Sequence, residues 1–439
     1  MTRVLVVGFI RDVLRNLDRC LPPGSVVVIE ESEIVRSRNL ADRVTQFPCI
    51  EKLVHADYVQ SEELVAVGQA ENALRPVDAV LPASEYAVPG AAALAEALGL
   101  PGAGTQAASI FRDKAMMRAT AQRLGMRTPR WAEITDIAGV RRFLSAETGG
   151  GVLKPADRAG SVGVRLLDDL ASATDDLWAE VSGAGDILLP ARPTRRRFLV
   201  EERLRGPEYS VEMLVHEGEP IFTNVTAKLV WPGAYPVERG QSVPADLPAD
   251  VRTALTDGMR QFAKGTGLGS AFLHGEWIVD EHGVVLIECA ARTPGDRILE
   301  LIELAYGFNP VAELVQVLCG KPPVIDAIPH RAAAIRYLHT APGTVVRVTG
   351  VEAARTMADV TDAQVDVGPG DEVLPLVSSW ERLGFVVAAA PTLAEAMQSA
   401  DRAAAVVTIE SRESVTAGMP DQGPPPAERG PVLSGDSGH

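Results

Sequence analysis

The chain has 439 residues, 46% apolar and 23% charged, with 42 Lys and Arg against 58 Asp and Glu for a formal charge of −16. That length exceeds one compact core and predicts two to four domains, while the acidic balance, with a pI near 5.0, argues against nucleic acid or an acidic membrane surface as the main partner. Four cysteines, Cys20, Cys49, Cys289 and Cys319, show neither close pairing nor metal spacing, which fits a reducing, cytoplasmic compartment, and no apolar run reaches membrane-spanning length.

The run Val4 to Ile10 meets Arg11-Asp12 with no small-residue cleavage site behind it, so it reads as a first strand rather than a signal peptide. Val26 to Glu30 and Ala79 to Pro82 follow as further buried parallel strands, and a helix is expected over Ala91 to Leu98. Residues at the carboxyl ends of such strands tend to meet ligands, which singles out Gly8, Glu30 and Glu85. The string Gly102-Ala103-Gly104-Thr105-Gln106-Ala107 matches the dinucleotide fingerprint, but it follows a helix instead of a strand and is rejected.

Asp113 is placed to N-cap a helix reaching about Gly125, with Lys114 in its first turn, where a cation is electrostatically out of place. Gly151 to Pro155 reads as a short strand carrying Lys154, followed by the loop 156–163 and a strand over Val164 to Leu167. Such a loop either turns backbone N–H groups toward an anion, with Lys154 as a point charge, or is an exposed hairpin tip. Arg195-Arg196-Arg197 is read as a solvated face.

Phe198 to Leu204 and Glu208 to Val215 are strands, the second cleanly alternating; Lys228 lies in a later extended segment, and a helix runs from about Asp250 to Lys264. The stretch HGEWIVDEHGVVLIECAARTPGD, His274 to Asp296, then reads as a hairpin with its loop at Glu281 to Gly283, pairing Asp280 with Val284 and Glu276 with Glu288. Opposed carboxylates about 5 Å apart repel. Either both are solvated, or they hold a hard divalent cation; Glu288 favours the cation, because its strand is apolar enough to be buried on both faces. Helices follow at Leu299 to Tyr306 and Pro310 to Leu318, then a third α/β region with strands at Ala333 to Leu338 and Phe385 to Ala389 and a helix over Leu393 to Ala404. The Gly-, Pro- and Ser-dense tail from Ser411 is expected to be disordered.

The order of these parts, an α/β domain, a helix-start Lys, a strand Lys with its loop, a Glu-bearing strand and a paired-Glu hairpin, resembles the ATP-grasp superfamily of carboxylate–amine ligases. Within it, Asp78 to Glu85 and Ile287 to Gly295 look most like the L-amino acid ligases. The resemblance implies an α/β ATP-grasp fold with an N-terminal Rossmann-like domain (1–112), a lid subdomain (113–200), a metal and nucleotide subdomain (201–330) and a C-terminal α/β subdomain (331–410), with 411–439 as tail. It implies that Lys114 and Lys154 meet the nucleotide phosphates under the loop containing Ser161. Glu201, Glu202 and Leu204 would meet adenine largely through the backbone, Glu208 the ribose, and Glu276 and Glu288 the Mg²⁺, with Mn²⁺ as an alternative. Arg292 would stabilise the acyl phosphate, and Glu85 and His274 would line the substrate side. The implied reaction couples a small-molecule carboxylate to an amine, both amino acids, with ATP consumed to ADP and phosphate. Other ATP-grasp chemistries, purine-biosynthetic or biotin-carboxylase-like, and a non-catalytic nucleotide-binding regulator are the alternatives. Dimers are common among similar proteins, and the resemblance departs at Ala290, where many members carry Asn.

Overall fold

The structure, a computed structural model, describes residues 2–146 and 149–413. Strands β1 (Val4–Val7), β2 (Val26–Glu30), β3 (Ile50–His55) and β4 (Ala79–Pro82) form an all-parallel sheet in the order β3-β2-β1-β4. The near-continuous Val and Ile runs of β1 and β2, with Leu5, are buried on both faces, whereas the edge strand β3 is only partly covered. The first strand stops at Val7 rather than Ile10, because Gly8 takes φ +88° and the helix Arg11–Cys20 follows at once. Gly8 is required there: a Cβ would lie 2.7 Å from Ser84 Oγ at the end of β4.

A second sheet, in the order β5-β8-β6-β7, contains β5 (Trp131–Ile134), β6 (Gly151–Pro155), β7 (Arg165–Leu167) and β8 (Phe198–Glu202). The helix Lys114–Arg123 leads into it. Asp113 caps that helix, its Oδ1 accepting from Ala115 N at 2.8 Å and Met116 N at 3.0 Å. Of the arginine run read as a solvated face, Arg195 and Arg196 are exposed, but Arg197 is ion-paired with both Asp113 and Glu133 and so braces this cap.

The largest sheet has eight strands: β9 (Glu208–His216), β10 (Glu219–Val230), β11 (Glu238–Val243), β12 (Ala271–Asp280), β13 (Gly283–Ala290), β14 (Ala332–Leu338), β16 (Val360–Val365) and β18 (Gly384–Ala390). Their order is β13-β12-β9-β10-β11-β14-β18-β16, and every pairing is antiparallel. The strands expected within a separate third region therefore extend the central sheet, because β14 pairs with β11. Strands β15 (Gly343–Thr349), β17 (Glu372–Val373) and β19 (Thr408–Arg412) make a small sheet of their own, so Ser411 and Arg412 are strand, and 414–439 lie outside the described residues.

Helices Ile298–Tyr306 and Pro310–Leu318 lie between the parallel sheet and the eight-stranded one. A single apolar core links Val28 and Leu81 of the first to Leu214, Phe272 and Ile335 of the second. At about 25 cal/mol per Å² of apolar surface removed from water, this shared core fixes the carboxyl ends of β1, β2 and β4 against the large sheet. Among the described residues no helix is long and apolar enough to cross a membrane.

Candidate active site

The hairpin β12–β13 does oppose Glu276 and Glu288, but by a different route from the expected one. Asp280 pairs with Gly283 across a two-residue loop, Glu281-His282, rather than with Val284 across a three-residue one. Asp280 Oδ1 accepts the His282 N–H at 2.8 Å, and Gly283 sits at φ +117°, which only glycine adopts easily. That register alone would set Glu276 against Ile287. A β-bulge between Glu276 and Trp277 shifts it by one residue and restores the Glu276–Glu288 pair.

Pairing across β13, β12, β9 and β10 places alternate residues on one face. Glu288 and Glu276 align with Ser210 and Thr226, His274 with Glu212 and Asn224, and Glu208 with Lys228. The opposite face is apolar, with Val211, Leu273, Trp277 and Leu286 packed under the helix Ala249–Thr266. Strands that are apolar on one side thus carry acids, amides and a lysine at every second position on the other.

Glu276 and Glu288 on this face each have a lysine. Lys228 Nζ is 2.6 Å from Glu276 Oε1 and 2.8 Å from Glu238 Oε1, and Lys114 Nζ is 2.8 Å from Glu288 Oε1 while donating to Arg158 O at 2.7 Å. The helix-start lysine that looked misplaced is therefore held by a carboxylate from the hairpin. Glu288 is not buried on both faces as expected: its side chain keeps 25% of its surface and that of Glu276 31%, because both lie on the polar face, opposite the one that the helix Ala249–Thr266 covers. Burial works to raise the Glu276 carboxyl, but Lys228 and His274 outweigh it and hold it well below the usual range. Three acids, Glu238, Glu276 and Glu208, outweigh the effect of burial on Lys228 and keep it charged. Glu208 is pushed up to about 7, chiefly by burial, with Glu276 and Glu238 adding to it against Lys228.

His274 Nδ1 lies 3.0 Å from Glu212 Oε1 and its Nε2 3.4 Å from Glu276 Oε1. Glu212, fully buried, also accepts from Ser210 Oγ, Asn224 Nδ2 and Thr226 Oγ1 at 2.6–2.7 Å, so the carboxylate is saturated and stays ionised. Burial tends to lower the His274 pKa, but Glu212 and Glu276 carry it up to about 9.

Lys154, on β6, is ion-paired at 2.6 Å with Glu201 on β8. Glu201, expected to act through its backbone, turns its carboxylate inward, where Arg118 also holds it through two 3.0 Å bonds. Glu202 turns instead to Arg130, accepting its N–H at 3.1 Å, and Leu204 follows in the loop after β8. Ser161, at φ +60°, donates to Pro236 O at 3.1 Å, and the neighbouring Gly160 lies under the Trp380 indole, so the 156–163 loop rests against the C-terminal part of the chain. Glu85 is buried at the end of β4 and accepts from Arg292 Nε at 2.7 Å, which joins the parallel sheet to the hairpin. Ala290 is 2% exposed and faces His274 in register.

Sequence reasoning did not assign Arg118, Lys228, Glu212, Glu238, Asp296 or Arg382 to the site. Asp296 and Arg382 form a half-buried ion pair, with Arg382 stacked 3.8 Å over the Tyr337 ring. A signal for some of them was present: Glu208-x-Ser210-x-Glu212 and Asn224-x-Thr226-x-Lys228 put polar residues on one side of otherwise apolar strands.

Among the described residues no group of three or more His, Cys, Asp or Glu side chains is placed to hold a metal. Two opposed carboxylates nevertheless fit Mg²⁺, which takes hard oxygen donors, keeps several waters and typically uses one or two carboxylates plus substrate phosphates.

Three family models match the chain: the ATP-grasp N-terminal domain over 24–102, the ATP-grasp domain over 150–300 and the L-amino acid ligase C-terminal domain 2 over 336–412. Among curated proteins, an uncharacterised protein, y4rH, of Sinorhizobium fredii is 29% identical over 68% of this chain and 60% of its own length. The alanine–anticapsin ligase of Bacillus subtilis is 28% identical over 67% of this chain and 64% of its own length. The chain thus spans less than two thirds of these relatives. Among solved structures, the L-amino acid ligase from Bacillus licheniformis superposes with a TM-score of 0.76 at 20% identity, covering 94% of this chain and 99% of that one. The biotin carboxylase domain of the Hydrogenobacter thermophilus 2-oxoglutarate carboxylase, solved with MgADP, gives 0.65 at 15% identity, covering 94% and 91%. These likenesses establish the fold.

Proposed function

This chain belongs to the ATP-grasp superfamily, and on that premise we propose that it is an ADP-forming ligase that activates a carboxylate as an acyl phosphate and couples it to an amine, both substrates being amino acids. The observation that carries the reading is the pair of opposed glutamates, each neutralised by a lysine, Lys114 on Glu288 and Lys228 on Glu276. The C-terminal L-amino acid ligase domain match and the alanine–anticapsin ligase relative support amide formation as the chemistry.

Glu276 and Glu288 would hold Mg²⁺, which supplies charge to offset that on the phosphoryl oxygens. With Mg²⁺ held there, Lys114 at the start of its helix and Lys154 on β6 would be the groups that bind the phosphate oxygens. Burial, with Arg118 and Lys114 beside it, lowers the Lys154 pKa against the pull of Glu201, and an arriving phosphate anion would favour its charged form. The γ-phosphoryl passes to a substrate carboxylate oxygen, forming the acyl phosphate and releasing ADP. An amine attacks the carbonyl carbon, the tetrahedral oxyanion is met by Arg292, phosphate leaves with the C–O bond, and the ammonium proton goes to solvent or phosphate. The paired Glu85 and Arg292 suit a zwitterion, the acid meeting an ammonium and the guanidinium a carboxylate. Water would hydrolyse the acyl phosphate, which gives the resting of the 156–163 loop on Trp380 a purpose.

Ala290 favours one second reading. Without an amide beside Glu288, a protein that binds nucleotide and does not turn it over is consistent with the same pocket. Phosphate release from ATP, measured with amino acids singly and in pairs and with amide product followed by mass spectrometry, separates the two. Release that needs two amino acids supports the ligase, and nucleotide binding with no release for any pair supports the regulator. Glu288→Ala is expected to abolish release with the protein still folded; undiminished activity would remove the metal assignment.

A further inference from the structure

The bulge that aligns Glu276 with Glu288 needs support of its own. A bulge leaves one residue unpaired and weakens the ladder around it, and β13 is the edge of the eight-stranded sheet, so its outward carbonyls and N–H groups have no strand to meet. The helix Lys114–Arg123 lies along that edge. Arg118, fully buried, donates from Nη1 to Leu286 O at 3.1 Å and from Nη2 to Ile287 O at 2.6 Å, the carbonyls flanking the register shift. Met117 Sδ, from the same helix, accepts the Cys289 N–H at 3.3 Å. The rest of the Arg118 guanidinium is committed to Glu201 through Nε and Nη2, both at 3.0 Å, and Glu201 in turn holds Lys154 at 2.6 Å.

One planar group therefore touches two parts of the site. On one side it fixes the backbone that sets the Glu276–Glu288 register, and on the other it fixes the acid that holds the β6 lysine. A lysine could replace the charge toward Glu201 but could not reach both carbonyls and both carboxylate oxygens, because an ammonium lacks the forked geometry. We propose that Arg118 is a positioning residue of the ATP site: by bracing the β13 bulge it holds the two glutamates in the spacing a divalent cation requires, and through Glu201 it ties that spacing to Lys154. This rests on the reading of Glu276 and Glu288 as cation ligands.

Its test compares wild type, Arg118→Lys and Arg118→Gln. Mn²⁺ binding in the presence of ADP is followed by the paramagnetic resonance of the free ion, each protein's melting curve is recorded, and the Mg²⁺ concentration giving half-maximal phosphate release is measured. The proposal expects both variants, folded at the assay temperature, to bind Mn²⁺ about tenfold or more weakly, the range seen when groups supporting metal ligands are removed, and to need correspondingly more Mg²⁺. A purely structural Arg118 would lower the melting temperature and leave Mn²⁺ affinity where it was, which overturns the proposal. So does an Arg118→Lys variant that matches wild type, since charge on Glu201 would then be the whole role. Wild-type protein that binds no Mn²⁺ overturns the cation reading of the glutamates and this proposal with it, whereas wild-type binding with unchanged variants overturns only the assignment to Arg118.

Discussion

Replacing Lys228 with methionine keeps the volume and removes the one ammonium among Glu208, Glu238 and Glu276. Lys228 is 3% exposed at its side chain and lies 2.8 Å and 2.6 Å from two of those acids. Two unit charges at about 2.7 Å attract by roughly 6 kcal/mol at an effective dielectric near 20, most of which repays desolvation. Deleting one member of a buried pair typically costs about 3–5 kcal/mol, and the lower end applies because water reaches Glu276, 31% exposed. For a cooperative unit of 150–250 residues, about 3 kcal/mol corresponds to a fall in melting temperature of roughly 6–12 °C. The loss should depend on pH. In the wild type Glu276 is held well below its usual pKa, although burial alone would raise it. Its contribution is therefore present above the unfolded value of about 4.3 and lost only as pH falls through the lower folded value. Without Lys228 only His274 opposes the effect of burial, so the folded value rises from its wild-type level and the stability that Glu276 contributes above about pH 4.3 shrinks. The gap between variant and wild type should be small near pH 4.5 and widest above pH 7. Calorimetric melting from pH 4.5 to 8 tests this; a fall below about 2 °C at pH 8, or one that is the same at every pH, would refute the reasoning.

Three other substitutions probe neighbouring parts of the site. His274→Gln should destabilise most near pH 6 and progressively less toward pH 9: the native His274 pKa is raised to about 9, so its contribution is complete below the unfolded value of about 6.5 and lost as pH rises through 9; a pH-independent difference would argue against a charged imidazole. Asp113→Ala should cost about 1 kcal/mol, seen as a shift in denaturant midpoint, because it removes the N-cap bonds to Ala115 and Met116 as well as the Arg197 ion pair; no shift would show that water replaces the cap. Ala290→Asn puts an amide in a position 2% exposed opposite His274, and overpacking should cost about 1–3 kcal/mol in thermal melts; an unchanged melt with tighter Mn²⁺ binding would show that the site has room for the missing ligand.

The ion pairs give the site a resting state in which Glu276, Glu288 and Glu201 are already neutralised. Lys114 on Glu288, Lys228 on Glu276 and Lys154 on Glu201 let the protein fold with its acids close together before any cation or phosphate arrives. Binding then becomes an exchange of partners rather than the burial of new charge.

How much of this was legible follows from the range of each interaction. The parallel strands, the Asp113 cap, the lysines of the helix start and of β6, and the facing glutamates all come from local patterns: apolar runs, period-two alternation and cap chemistry act within a few residues. The register was right for the wrong reason, since a shorter turn and an unforeseen bulge cancelled. A bulge leaves no mark in alternation when the residues beside it are apolar, as Leu286 and Ile287 are. Glu288 read as buried because its neighbours are apolar, but its exposure depends on which face of the sheet is covered, and the helix Ala249–Thr266 packs on the other one. The partners of the lysines, the reach of Arg118 to Glu201 83 residues away, and the joining of β14 to β11 belong to tertiary structure alone. Periodicity specifies which face a side chain occupies, whereas which strand lies beside which is decided by the packing of whole elements.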